Sequence, residues 1–297
     1  MTSPDDFPLP PGCAPDGQQF YKAFLDAERF MAAFHSRHDA DGRDRALHEL
    51  TSHLYGAGHR RSLLRTSATA LHAPAIVWLS RLQSAVEWTL AEGEIPIFQG
   101  LSREGLREIA CLSGPMAQAA ASAGKPALAG ALASLVRGLR AMGVVLVHER
   151  AVAGARVDGV VFKTPGGHAV VGLSVRYSRL DHYWFTLMHE LAHLALHEDR
   201  LDAPIVDDLE QVHSDALERE ADELAREALV PREAWLAWPG RRTFQEEEVR
   251  AFAGRIGVAP QVVAGRMRWE ADRHDVLSRL VREADVREAV FGEAGGA

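Results

Sequence analysis

Apolar residues recur at three- and four-residue steps through most of this chain and become denser in one central region. Near the start, Phe20, Ala23, Phe24, Ala27, Phe30, Met31 and Phe34 fall on one face of a helix. A second helix is predicted over 73–92, with Pro74 in its first turn and Gly93 at its end. The run GEIPIFQG at 93–100 breaks the period and reads as a linker, so everything before it is expected to be all-helical. Residues 1–17 carry Pro and Gly without a period and are expected to form a loose tail. From 101 to 142 the chain reads as helices rich in Ala and Leu. The pattern then changes. Short runs rich in β-branched residues occupy 144–147, 159–162 and 168–173, separated by turn residues that include Pro165, Gly166 and Gly167. Three short strands close in sequence predict a small antiparallel sheet. Helices follow over 181–197 and 214–229, the second ended by Pro231. The chain is helical again from 243, where Thr243 and Glu246 have capping-box spacing.

These elements predict an α+β, mostly helical protein. The expected division is a tail over 1–17, a helical N-terminal domain over 18–100, a central α+β domain over 101–240 and a helical C-terminal segment over 241–297. The length of 297 residues suits about two domains. With 47% hydrophobic and 25% charged residues, a largely disordered chain is excluded. The net charge of −8 is a poor match to a dedicated nucleic-acid binder. The two cysteines, Cys13 and Cys111, are too few for a disulfide framework and form no CxxC pair. The start has no basic segment followed by an apolar one. The most apolar stretch, around 115–139, is broken by Lys125 and Arg137 and is weak for a membrane span. A cytosolic protein without a membrane segment is expected.

The chemistry is concentrated in HELAH at 189–193. Residues four apart on a helix lie on one face, so His189 and His193 can converge on one tetrahedral Zn²⁺. Glu190 then stands beside the metal, where a carboxylate can take a proton from water and return it to a leaving amine. The flanks FTLM and LALH are good helix formers. His197 could add an imidazole, but three histidines on one straight helix reach one ion badly, because the outer two are about 12 Å apart. It reads better as a hydrogen-bonding or capping residue. His182 reads as a residue near the helix N-terminus. A third ligand should come from elsewhere, leaving one position open. The acidic helix 214–229 offers Glu218 and Glu220, which flank its apolar stripe on opposite sides, and periodicity does not choose between them. Glu223 and Glu227 read as solvated. Asp207, Asp208 and His213 in the preceding loop are the fallback.

The motif DHYWFTLMHELAH at 181–193, then Leu196 and His197, then Glu218, Glu220, Ala221, Asp222 and Ala225, then Leu229, Val230 and Pro231, resembles the ImmA/IrrE family of metallopeptidases. The likeness covers about 144–231 and continues more weakly to 280. The resemblance implies a minimal zincin-like domain, in which a small sheet packs on the motif helix. It implies Glu220 as third zinc ligand, Glu190 as catalytic base and Asp222 as outer support. It also implies a protein substrate, a repressor or regulator whose cleavage controls stress, mobile-element or defence genes. In zincins an edge strand commonly pairs with the substrate backbone, and 168–173 is the candidate for that edge.

The run 249–269 has the rhythm of a helix-turn-helix, whose second helix could present Gln261, Arg266 and Arg268 to DNA. The same rhythm also describes a structural helix pair, and the preceding stretch 245–248 is acidic. The alternative to an endopeptidase is therefore a DNA-associated or antitoxin-like regulator that uses the protease-like domain as a sensor or scaffold. Retention of both histidines and Glu190 favours the enzyme.

Overall fold

A computed structural model describes residues 73–201, 205–207 and 216–292 of the chain. The expected tail, the apolar face of 20–34 and the loop residues Asp208 and His213 lie outside the described residues. Helix α1 spans Ala73–Ala91, α2 spans Arg103–Cys111 and α3 spans Ser113–Ala141. Three strands follow: β1 at Val144–His148, β2 at Gly159–Lys163 and β3 at Ala169–Leu173. Helix α4 covers Leu180–Leu196, β4 covers Ile205–Asp207 and α5 covers Ala216–Leu229. The C-terminal part holds α6 at Arg232–Ala237, α7 at Glu246–Ile256, α8 at Pro260–Glu270, α9 at Ser278–Val281 and α10 at Val286–Phe291. The mostly helical α+β class expected from the sequence is the one observed.

The sheet has the order β1-β3-β2-β4. Strands β2 and β3 form the expected hairpin, closed by the Thr164 N–H donating to the His168 carbonyl and turned at Gly167, with φ of +82°. Strand β4 adds to β2 antiparallel, but β1 lies parallel to β3. The sheet is therefore mixed, not purely antiparallel. Parallel neighbours need a longer crossover than a hairpin, and the segment 149–158 with β2 supplies it. This order places β3 in the interior, with β1 on one side and β2 on the other. Both of its backbone edges are occupied, so 168–173 has no free edge to offer a substrate.

Nearly every residue of β1, β2 and β3 is buried, which explains the continuous apolar runs. One face, with Val144, Leu146, Val161, Val171 and Leu173, shares the main core with α4. On the other face a side chain at Gly172 would collide with Leu82 of α1 and Val160. The stretch 93–100 is irregular but is not a free linker. Phe98 is in the main core, its N–H donates to the Gly167 carbonyl, and the His168 ring lies 3.0 Å from the Ile95 carbonyl. No break in packing occurs at 100.

None occurs at 240 either. Trp238 stacks on Phe252 at 4.2 Å, and Val249, Val263 and Met267 of α7 and α8 join the same core as Leu187 and Leu191. The described residues 82–151 and 156–292 form one compact unit, and those outside it are 73–81 and 152–155. Helix α7 starts without the expected capping box. Its N-cap is Gln245, and the Thr243 hydroxyl instead bonds the Gly240 carbonyl and the Glu248 carboxylate. One weakly apolar helical stretch, 103–141, is long enough to be considered for a membrane by length and composition alone. Leu106, Ile109, Met116 and Leu132 within it pack into the core.

The residues proposed to read DNA serve the fold. Gln261 and Arg268 are 3% and 5% exposed. Arg268 donates to the Val276 and His274 carbonyls, and Arg266 donates to the Val230 carbonyl and lies over the Trp235 ring. A base-reading face needs side chains that reach outward, and these three do not form one.

Candidate metal centre

Helix α4 runs without Gly or Pro, so the four-residue spacing of its histidines is carried intact into space. Its first turn is acidic, as suits a helix N-terminus, and the Asp181 carboxylate receives a two-pronged bond from Arg179 at 3.0 and 2.9 Å. His189 and His193 follow two and three turns on. Both are fully buried, and their rings meet nearly edge to face with centroids 4.8 Å apart.

A carboxylate from α5 completes the group. Glu218, 8% exposed, places Oε2 3.2 Å from His189 Nε2 and 3.4 Å from His193 Nε2. The two Nε2 atoms are 3.1 Å apart. These three donor atoms make a nearly equilateral triangle. Tetrahedral coordination at about 2.0–2.1 Å from an ion gives donor–donor edges of roughly 3.3–3.4 Å, so the triangle has the size a zinc-like ion needs. The proton placement agrees. His189 Nδ1 lies 3.0 Å from Asp222 Oδ1. A carboxylate only accepts, so Nδ1 carries the proton, and the neutral ring presents a lone pair at Nε2. Lone pairs and a carboxylate oxygen at this spacing repel one another unless a cation lies among them. The residues present fit a divalent metal, and His189, His193 and Glu218 could hold it.

The carboxylate expected here was Glu220, and the structure places it elsewhere. Glu220 is 62% exposed at its side chain and meets His197 Nε2 at 3.2 Å. Helix phase explains the difference. Glu218 precedes the buried Ala221 and Ala225 by three and seven residues and so shares their face against α4. Glu220 is rotated by about 200° from Glu218. The same phase brings in Asp222 and Arg226 at four-residue steps from Glu218. Asp222 bonds His189, and Arg226 Nη2 donates to Asp222 Oδ2 at 2.6 Å. Asp222 thus bonds the His189 ring and is not one of the three converging donors.

Glu190 is fully buried beside its motif histidine. Strand β2 makes the space for it. A Cβ on Gly159 would fall 1.9 Å from Glu190 Oε1 and 2.7 Å from Cδ, so only glycine admits this carboxylate. The Gly159→Ala variant is expected to keep metal and fold while any turnover that uses Glu190 as its base falls by about 100-fold, because a shift near 1 Å in a reacting group has that effect. Unchanged turnover with metal retained would show that the contact does not place Glu190.

His182 lies away from the two motif histidines, in a separate polar cluster. Its Nε2 is 3.3 Å from Asp158 Oδ1, and Arg176 binds Asp158 through two contacts at 2.6 and 2.8 Å. Burial pushes the Asp158 carboxyl up, but the bonds from His182 and Arg176 outweigh it and hold the group below the usual carboxylate range. Asp158 immediately precedes Gly159, so this cluster ties the start of β2 to the first turns of α4.

Residues 141–268 match the family model Peptidase_M78, described as the IrrE N-terminal-like domain. Over this span the chain is similar to the IrrE N-terminal-like domain, in line with the ImmA/IrrE resemblance of its motifs. The match begins just before β1 and ends within α8, so the family domain contains the sheet, both metal-centre helices and the helix pair α7–α8. It is a metallopeptidase-like domain, and the buried His–His–Glu group accords with that class. No curated protein matches the chain.

Two parts of this site escaped the sequence reading. Glu218 was set aside in favour of Glu220, although the steps from Glu218 to Asp222 to Arg226 were a usable signal. Gly159 carried no signal, because its role depends on a helix that follows only after β3.

Proposed function

We propose that this protein is a zinc-dependent endopeptidase acting on a protein regulator. The observation that carries the reading is the triangle of His189 Nε2, His193 Nε2 and Glu218 Oε2 with Glu190 buried beside it. His189, His193 and Glu218 would hold a divalent metal, which when bound would supply Lewis acidity toward a water and the scissile carbonyl. Glu190 takes the proton that the attacking water loses. The water oxygen bonds to the carbonyl carbon, the C–N bond breaks, and Glu190 passes the proton to the departing amine. Asp222 holds the His189 ring in the orientation and tautomer this arrangement requires.

A repressor or other regulator is the substrate this reading favours, in a cytosolic protein that controls stress, mobile-element or defence genes. The family resemblance supports it. The competing DNA-associated reading loses its main support, since Gln261, Arg266 and Arg268 are engaged within the fold. Purified protein is expected to hold about one Zn²⁺ per chain. Incubation with a regulator encoded beside it should give discrete fragments, stopped by a zinc chelator and restored by added zinc. No zinc in protein purified without chelators, and no uptake on reconstitution, would overturn the metal reading. Zinc uptake without cleavage of such a regulator would overturn the substrate.

A further inference from the structure

His197 and Glu220 remain outside the chemistry described so far, yet they form a continuous line with a motif histidine. His193 Nδ1 lies 3.0 Å from His197 Nδ1, and His197 Nε2 lies 3.2 Å from Glu220 Oε2. His193 and His197 are both buried, and Glu220 stands at the surface. We infer that His197 and Glu220 are positioning residues that orient His193 and raise its affinity for the metal, an inference that rests on metal binding at His189, His193 and Glu218.

The proton placement supports it. For His193 Nε2 to face an ion it must present a lone pair, so in the neutral ring the proton is on Nδ1. That N–H points at His197 Nδ1, which must accept. His197 therefore carries its proton on Nε2 and donates it to Glu220. Each step leaves one choice, and all three agree. With the His197 proton on Nδ1 instead, two N–H groups would oppose each other at 3.0 Å. Glu220 favours the productive tautomer, because a carboxylate rewards an N–H at Nε2 and disfavours a lone pair there. The outer ring N–H of a metal-bound histidine ordinarily finds such a partner, and losing that partner weakens the metal by about 10–100-fold.

The arrangement also gives each motif histidine its own support from α5. His189 is held by Asp222, itself held by Arg226, and His193 is held by His197, itself held by Glu220. The two acids that flank the stripe of α5 are thus both used, Glu218 toward the metal and Glu220 toward the outer histidine.

The test is zinc affinity at fixed pH, measured by competition with a chromogenic chelator, on the full chain. Glu220→Ala is expected to weaken zinc by about 10-fold, the lower end for an outer partner. Glu220→Gln should recover most of that, because its carbonyl oxygen accepts the same bond. His197→Ala should weaken zinc by about 10–100-fold. The double variant should bind no worse than His197→Ala alone, since Glu220 acts through His197. Metal-free melting temperature should stay unchanged in the Glu220 variants, which alter only an exposed side chain. Wild-type affinity in Glu220→Ala, no recovery in Glu220→Gln, or additive losses in the double variant would each overturn the inference while leaving the metal centre standing. Absence of zinc binding by the wild-type chain would instead remove the metal centre itself, and the inference with it.

Discussion

Glu190→Gln is expected to keep its metal and lose peptide hydrolysis. Glutamine has nearly the same shape as glutamate, so it fits the space that Gly159 leaves beside β2. It is not one of the three converging donors, so zinc content should match wild type. It cannot accept a proton, because its carbonyl oxygen is a weak base and its nitrogen carries only donors. General acid–base catalysis contributes about 10²–10⁴-fold, and single-turnover cleavage should fall by at least the lower figure. The effect on stability runs the other way. Glu190 is fully buried, and a buried charge is costly to keep, so the metal-free variant should melt no lower than wild type. A Glu190→Gln protein that cleaves at the wild-type rate would remove Glu190 from the reaction. One that loses metal as well would make Glu190 part of the metal centre.

The motif helix was legible because its information is local. The step of four between His189 and His193 becomes one turn of α4 whatever surrounds it, and no Gly or Pro interrupts that turn. Strands β1, β2 and β3 were legible as runs of Val, with Pro165, Gly166 and Gly167 marking the hairpin. Their pairing was not. Three consecutive strands are most simply read as a meander, but 149–158 is long enough for β2 to cross to the far side of β3 and leave its near edge for β1. The choice between those orders depends on what covers the sheet faces, and that includes Leu82 of α1 pressing on Gly172. The supposed linker 93–100 was misread for a similar reason. Its irregular backbone suggested a boundary, while burial of Phe98 against the hairpin is a long-range fact.

The site divides along the same line. Residues related by helix phase could be narrowed to a pair, and a pair is what the wheel of α5 offered. Glu218 and Glu220 both border the apolar stripe, so deciding between them needs the angle at which α5 crosses α4. Analogy chose Glu220, and packing places Glu218 at the imidazoles. Arg266 and Arg268 illustrate the reverse case. Their spacing suited a recognition helix, but Val230, His274 and Val276 carbonyls need donors, and the two arginines supply them.

Glu218→Ala is expected to lose zinc far more severely than Glu220→Ala. Removing Glu218 takes away one of three donors and the only negative charge among them. It leaves two neutral imidazoles to hold a dication. If protein ligands contribute comparable shares of a binding free energy of about 10–16 kcal/mol, one ligand is worth roughly 3–5 kcal/mol, on the order of 1,000-fold in affinity. Glu220→Ala removes a partner two residues of relay away from the ion, and its effect stays near 10-fold. The two variants therefore separate by about two decades of dissociation constant, well beyond the scatter of a competition assay. Glu218→Gln sharpens the comparison, because it retains an oxygen donor but no charge, and should fall between Glu218→Ala and wild type. A reversed order would place Glu220 on the metal and turn α5 by about 200° from the observed packing. Such a turn would drive Ala221 and Ala225 out of the core and the exposed Glu220 into it. Small, equal losses from both would put the third donor outside this helix, with Asp207, Asp208 or His213, which precede it in sequence, next in line.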